Sequence, residues 1–238
     1  MHPFFDYVYE YLAGQMHSWP KEAAQDICLI VCVFAFDEDD GRRGCLSLSA
    51  TTPDYWASSY TPDENEPGKK WYTMLMGPFT SDGEMCVGSG EWYGSDDPGD
   101  IECVVIRDDY FRSLGIFMSD AEQAQWSPLL TKRWRAEHNN EAFTHEEAKT
   151  LTELEQRLDA LPKAFIGVCA DSVRRLFESG MIEEICGKPV PVVFCISNDM
   201  GDEQDLMQQM RGANPPGLTE EYYQWRKKHF SGAEQWPD

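Results

Sequence analysis

The segment most informative about the architecture is residues 27–52, with the sequence ICLIVCVFAFDEDDGRRGCLSLSATT. Its first ten residues, Ile27 to Phe36, are apolar, rich in β-branched and aromatic side chains, and free of polar alternation. Such a run is typical of a central strand that is covered on both faces. An acidic turn, Asp37 to Gly41, follows, and Gly44 to Ser49 then alternates with period two. The pattern predicts an antiparallel β-hairpin.

An amphipathic helix is expected before this hairpin. Phe4, Val8, Leu12 and Met16 recur at intervals of four residues, which places them on one helical face. Pro3 precedes them, and proline suits the first turn of a helix because its missing N–H would have no intrahelical partner there.

The second half of the chain has mainly helical patterns. Residues 144–147 form a capping box, and leucines at positions 151, 154, 158 and 161 continue a helical face. We expect Pro162 to end this helix, because an interior proline removes a hydrogen bond and clashes with the preceding turn. A second helix is predicted over residues 164–179, with Gly180 as its C-terminal stop. Further helical signals begin at Ser119 and cover residues 203–211 and 219–229.

Two more strands complete the prediction. Residues 190–196 form an apolar run with Pro191 near its start, and residues 103–106 form a shorter one. We therefore expect an α+β fold with a single mixed or antiparallel sheet and an N-terminal hairpin, flanked by helices mostly from the second half. Residues 1–238 are predicted to form one domain, with long ordered loops over 52–100, where aromatic residues accompany Pro, Gly, Asp and Ser.

Charge excludes one class of function. The 238 residues include 42 acidic and 20 basic side chains, a formal net charge of −22. Binding of nucleic acid through a basic surface is excluded, because phosphate neutralisation needs clustered Lys and Arg. The excess is concentrated in residues 1–110, which hold 21 acidic and 6 basic side chains, a net of −15, against −7 for residues 111–238. We call residues 1–110 the acidic half.

The sequence also bears on location and redox state. No apolar run reaches the length of a membrane span, and the N-terminus lacks the pattern of a signal peptide. We therefore expect a cytoplasmic protein. The eight cysteines include no CxxC pair, and Cys28, Cys32, Cys103 and Cys195 lie in apolar runs. All eight are predicted to be reduced.

Motifs for catalysis are missing from the sequence. It contains no GxSxG elbow and no phosphate-binding glycine loop, and its five histidines lie near termini or helix ends. Residues 37–41 resemble the start of a calcium loop, but the position that needs a bidentate Glu is Leu48. The basic residues around Trp134 are interpreted as partners of the protein's own carboxylates. We predict no catalytic residues, no metal, no cofactor and no enzymatic activity.

A protein-binding surface is the remaining hypothesis. Acidic loops that carry aromatic residues combine rigid anchors with a charge that steers a basic partner. In the alternative interpretation, the aromatics pack beneath the loops and the acids serve solubility. The predicted partner-binding residues are Asp37, Glu38, Asp39, Asp40, Tyr55, Trp56, Asp63, Glu64, Trp92, Tyr93, Asp96 and Asp97.

The order of these features resembles a group of uncharacterised bacterial α/β proteins, some of which are found beside polymorphic toxins and are suspected immunity proteins. The resemblance covers roughly residues 25–216. It is carried by the strand and acidic turn at 36–41, Trp126-Ser127-Pro128, two long helices ending near Gly180, the strand at 192–196 with Ser197-Asn198-Asp199, and Asn214-Pro215-Pro216. It implies a protein that neutralises a toxin by binding; a basic toxin such as a nuclease would suit the charge. The partner is then a protein, with no nucleic acid and no membrane. The alternative is a metal-dependent hydrolase with carboxylates assembled from loops.

Overall fold

The computed structural model describes residues 3–36, 44–54, 79–80, 85–87, 104–106, 120–196 and 203–229. The described residues form seven helices and six strands. In chain order, they are α1 (Pro3–Ser18), α2 (Lys21–Ala24), β1 (Leu29–Phe36), β2 (Gly44–Thr51), β3 (Phe79–Thr80), β4 (Met85–Val87), β5 (Val104–Ile106), α3 (Asp120–Asn139), α4 (His145–Glu178), α5 (Met181–Cys186), β6 (Val192–Ile196), α6 (Glu203–Ala213) and α7 (Glu220–His229).

The sheet is mixed and has the strand order β5-β4-β2-β1-β6, with β3 paired to β2. β1 and β2 form the predicted antiparallel hairpin, in which Leu29 lies opposite Thr51 and Phe36 opposite Gly44. β6 returns beside β1 in parallel, with Ile30 opposite Val192. The α+β fold class, the N-terminal hairpin and the helix-rich second half are therefore confirmed.

β1 is buried on both faces, as its unbroken apolar sequence predicted. Ile30, Cys32 and Phe34 lie on one face and Leu29 and Val31 on the other, and each is at most 1% exposed. The first face carries an aromatic cluster. The Phe34 ring meets the Phe165 ring edge to face at 5.9 Å between centroids, and Phe165 stacks on Phe4 at 6.0 Å. These contacts attach α4 and α1 to the sheet.

Helix α1 has the amphipathic character that its four-residue spacing predicted. Phe4, Val8, Leu12 and Met16 are at most 1% exposed, and α1 packs along α4. Asp6 of α1 also receives a hydrogen bond of 2.8 Å from Arg175 of α4, which fixes the two helices at their outer edge. The opening helix is therefore an integral part of the core.

The predicted break at Pro162 is wrong, because α4 runs without interruption from His145 to Glu178. A proline inside a helix costs roughly 3 kcal/mol through the lost hydrogen bond and the ring clash. Here Pro162 is itself buried, and Leu154 before it and Phe165 after it are both buried on the helix. Packing on both sides of the proline outweighs its local cost. The two long helices expected from the resemblance are one helix.

Both ends of α4 follow the prediction. Thr144 Oγ1 accepts a hydrogen bond of 3.2 Å from the Glu147 backbone N–H, and the Thr144 N–H donates to Glu147 Oε2 at 2.9 Å. These two bonds are the expected capping box. At the other end, Gly180 has a φ of 76°, the left-handed conformation in which glycine commonly terminates a helix.

Helix α3 packs against the first half of α4 and forms a hairpin with it. Trp126 and Leu129 cover Leu154, and ion pairs join the two helices, including Lys132 to Glu147 at 2.5 Å and Arg133 to Glu155 at 2.8 Å. The interpretation that these basic residues pair with the protein's own carboxylates is confirmed for both. Among the described helices, none has the length and apolarity needed to cross a membrane.

Candidate functional site

A cleft bounded by described residues lies where α4 ends and the chain passes from α6 into α7. Its volume is about 550 Å³. Arg174 and Phe177 of α4 line one wall, Arg211 of α6 lies on another, and the connection from Asn214 to Thr219 completes it. We call this site the arginine cleft. Its position in the fold follows from α6, which packs on both α4 and β6.

Asn214 attaches the wall of the arginine cleft to the sheet. The side chain is only 7% exposed. Its Oδ1 accepts a hydrogen bond from the Val192 N–H at 2.9 Å, while its Nδ2 donates to the Val192 carbonyl at 2.8 Å and to the Met210 carbonyl at 2.8 Å. One amide thus satisfies both backbone groups at the first residue of β6 and one carbonyl of α6.

Residues 215–218 form a tight turn that follows this anchor. The Leu218 N–H donates to the Pro215 carbonyl at 3.2 Å, and Gly217 has a φ of 84°. Pro216 in the second position and a left-handed Gly in the third are the residues that a type II turn requires. Two consecutive prolines and a turn of fixed type leave this wall few alternative conformations.

Two arginine side chains face the arginine cleft from different helices. Arg174 donates from Nε to the Gly212 carbonyl at 3.1 Å and from Nη1 to Asp171 Oδ1 at 2.5 Å. Arg211 Nη2 lies 3.2 Å from Glu220 Oε2, and its guanidinium carbon is 4.2 Å from the centroid of the Tyr223 ring. This distance is typical of a cation–π contact, which fixes the plane of the guanidinium.

The lining combines both signs of charge with apolar surface. Glu178 and Glu220 accompany the two arginines, while Phe177 and the prolines supply apolar walls. The described lining contains no histidine, cysteine or lysine. The charged groups of the described lining are therefore two guanidinium groups and two carboxylates.

A smaller groove of about 320 Å³ lies between α1, α2 and α5. Met16 and Trp19 form its apolar floor, and Lys21 and Glu184 stand at its edge. Its floor is continuous with the main core, because both Met16 and Trp19 belong to that cluster. The groove is therefore a surface recess above the main core.

Cys28, Cys32, Cys169, Cys186 and Cys195 are free thiols. Burial raises the pKa of Cys32 to about 12 and that of Cys186 to about 11. Burial also raises the pKa of Cys169 well above its usual range, with a further contribution from Cys32. Because the thiolate is the reactive form, these side chains are inert packing groups.

The partner-binding residues predicted from the sequence, at positions 37–40, 55–56, 63–64, 92–93 and 96–97, all lie outside the described residues. Their role stays a prediction. Within the described ranges, no group of three or more His, Cys, Asp or Glu side chains is arranged to hold a metal ion.

The arginine cleft was not predicted from the sequence. The signal that could have found it is Asn214-Pro215-Pro216-Gly217, a strong turn signature directly after a helix. The two arginines carry no such signal, because only the packing of α6 on α4 brings them to one site.

Comparisons with protein-family models, with curated proteins and with solved structures found no match to this chain. The fold places the chain in the α+β class.

Proposed function

We propose that the chain is an acidic protein-binding module that acts in the cytoplasm, and more specifically an immunity protein that neutralises a basic bacterial toxin by direct binding. The observation that carries this proposal is the charge of −22 and its concentration in the acidic half, which has a net charge of −15. A field of this size attracts a basic protein and raises the rate of association.

Internal ion pairing in the described part of the chain supports the proposal. Nine ion pairs there engage basic side chains with the protein's own carboxylates, and among them Arg226 pairs with Glu203 in a largely buried position. Since basic side chains are half as numerous as acidic ones, such pairing leaves the excess carboxylates available to a partner.

Two kinds of residue in the acidic half have different roles in the proposed binding. Carboxylates such as Asp39 would steer the encounter, and aromatics such as Trp92 would supply the buried contacts that slow dissociation. This division gives the experiment two independent variables, the association rate and the dissociation rate.

The experiment begins with the full chain as bait in a lysate of its source cell, followed by binding kinetics with the captured protein at low and high salt. Asp39→Lys should slow association and flatten its salt dependence. Trp92→Ala should speed dissociation, with a loss of about 2 kcal/mol or more if Trp92 is a hot spot. For a toxin partner, the chain should abolish the toxin's activity at a one-to-one ratio.

Matched controls come from α3, outside the acidic half. Glu137→Lys changes the charge by the same amount as Asp39→Lys, and Trp134→Ala removes an indole that is 55% exposed. Both should leave the kinetics close to wild type. Rates that ignore salt, or α3 variants that have the larger effect, would contradict a docking surface in the acidic half. A tightly held stoichiometric metal with hydrolytic turnover would contradict the binding function itself.

A further inference from the structure

We propose that the arginine cleft binds a small oxyanion, a phosphate or carboxylate group, between the guanidinium groups of Arg174 and Arg211. This inference is independent of the proposed toxin binding, because it concerns the helical second half. Two arginines from separate helices line one cavity of about 550 Å³, which is large enough for a small ligand. Planar guanidinium groups match the geometry of oxyanions with paired N–H groups.

Both arginines retain hydrogen-bonding capacity. A guanidinium has five N–H donors. Within the described part of the chain, Arg174 makes its bonds through Nε and Nη1, and Arg211 makes its ion pair through Nη2. The remaining N–H groups include both on Arg174 Nη2 and those on Arg211 Nε and Nη1. Each arginine therefore keeps N–H donors with which it can bind an oxygen of a phosphate or carboxylate group.

The existing ion pairs are weak competitors. The side chains of Arg174 and Asp171 are 46% and 56% exposed, and those of Arg211 and Glu220 are 31% and 42% exposed. Ion pairs with this degree of exposure contribute little, because water and salt screen them. Glu178 and Glu220 also line the cleft, so an incoming anion is repelled by their negative charge while it binds the donors that Arg174 and Arg211 leave open. We therefore expect modest affinity with a strict need for both arginines.

The cleft is organised before a ligand arrives. The Nε bond to the Gly212 carbonyl positions Arg174, and the Tyr223 ring positions Arg211. Asn214 and the turn at 215–218 hold the opposite wall. These contacts reduce the conformational entropy that the two side chains would lose on binding, which favours affinity at a small site.

The test is titration calorimetry of the full chain with two separate probes, inorganic phosphate and succinate, at constant ionic strength set with sodium chloride. We expect saturable binding at one site for at least one probe. Binding of phosphate alone identifies a phosphorylated ligand, and binding of succinate alone identifies a carboxylate ligand. Arg174→Gln and Arg211→Gln should each weaken binding by at least about tenfold, the loss expected for a charge-assisted hydrogen-bond pair.

Arg135→Gln is the matched control, because Arg135 is an exposed arginine on α3, away from the cleft. It should bind like the wild type. Arg211→Lys keeps the charge but loses the fork of donors, and it should bind more weakly than wild type while unfolding at a similar temperature. Absence of saturable binding of both probes at millimolar concentrations, or equal weakening by Arg135→Gln, would overturn the proposal.

The experiments distinguish a failure of the proposed toxin binding from a failure of the proposed oxyanion binding. Asp39→Lys, in the acidic half, should leave phosphate or succinate binding intact. Arg211→Gln should leave the binding kinetics of the protein partner intact.

Discussion

Asn214 illustrates how much of this fold depends on single buried polar side chains. Its amide makes three hydrogen bonds that join the end of α6 to the first residue of β6. Main-chain groups that are buried without a partner are expensive, and the Val192 N–H and carbonyl would lose theirs without this side chain.

We predict that Asn214→Ala lowers the free energy of unfolding by about 2–4 kcal/mol, since it removes three hydrogen bonds and leaves buried groups unpaired. Urea unfolding followed by circular dichroism measures the change. Asn139→Ala, at an exposed position near the end of α3, should change stability by less than about 0.5 kcal/mol. Equal effects of the two substitutions would show that the Asn214 bonds are not important for stability.

The thiols give a second prediction for individual residues. Because burial raises the pKa of Cys32 to about 12 and that of Cys169 well above its usual range, both stay protonated and unreactive near neutral pH. Iodoacetamide should leave Cys32 and Cys169 unmodified in the folded protein, as mass spectrometry of peptides would show. In unfolded protein that has not been reduced, all eight cysteines should react. Fewer than eight labels would contradict the prediction that all the thiols are free.

At the scale of elements, the capping box of α4 gives a prediction for the stability of a single helix. We predict that Thr144→Ala costs about 1 kcal/mol, the usual effect of losing a helix N-cap. Thr152→Ala is the matched control, because Thr152 is exposed on the same helix and its hydroxyl donates to the Ala148 carbonyl. It should be neutral in urea unfolding, and a cost equal to that of Thr144→Ala would argue against a capping effect.

Glu147 makes this capping box depend on pH. The hydrogen bond from Lys132, together with the Thr144 N–H, lowers the pKa of Glu147 to about 2 from an ordinary value of 4.5. A lowered pKa means that its contribution to stability is present above about pH 4.5 and is lost as the pH falls toward 2. The stability difference between wild type and Glu147→Gln should shrink over that window. Lys132→Ala should make the same difference smaller and less dependent on pH.

Much of the element pattern was predictable from the sequence, for reasons visible in particular residues. β1 was predictable because ten consecutive apolar residues without polar alternation are typical of a buried strand. α1 was predictable because Phe4, Val8, Leu12 and Met16 share one helical face. The predicted helix end at Pro162 was wrong because the sequence shows only the local cost of a proline inside a helix. The packing of Leu154 and Phe165, which outweighs that cost, is a property of the tertiary structure. The short helices α2 and α5, of four and six residues, are too brief to show periodicity.

The candidate site was less predictable than the fold. The sequence predicts a turn at Asn214-Pro215-Pro216-Gly217, but it does not show that this turn lies close to Arg174. That relation depends on the way in which α6 packs on α4, which is a property of the tertiary structure. The predicted acidic docking surface is inferred from the excess of acidic side chains in residues 1–110, and binding kinetics would test it.

For the whole molecule, the net charge of −22 predicts a dependence of stability on salt. Repulsion among the excess carboxylates opposes the compact state, and salt screens it within a Debye length of about 10 Å at 0.1 M. We therefore expect the free energy of unfolding to rise with sodium chloride concentration in urea unfolding experiments. Stability that falls with added salt would mean that the internal ion pairs outweigh the repulsion.

The parallel pairing of β1 with β6 has a consequence for the way the protein is made. Ile30 pairs with Val192, so on the ribosome the hairpin emerges long before the strand that completes its sheet. Until then one edge of β1 offers unpaired backbone groups on an apolar strand, a template for association with other nascent chains. A chain truncated after Gly187 should therefore be insoluble, as centrifugation of expressed protein would show. Emergence of β6 is the step at which this edge of β1 becomes covered.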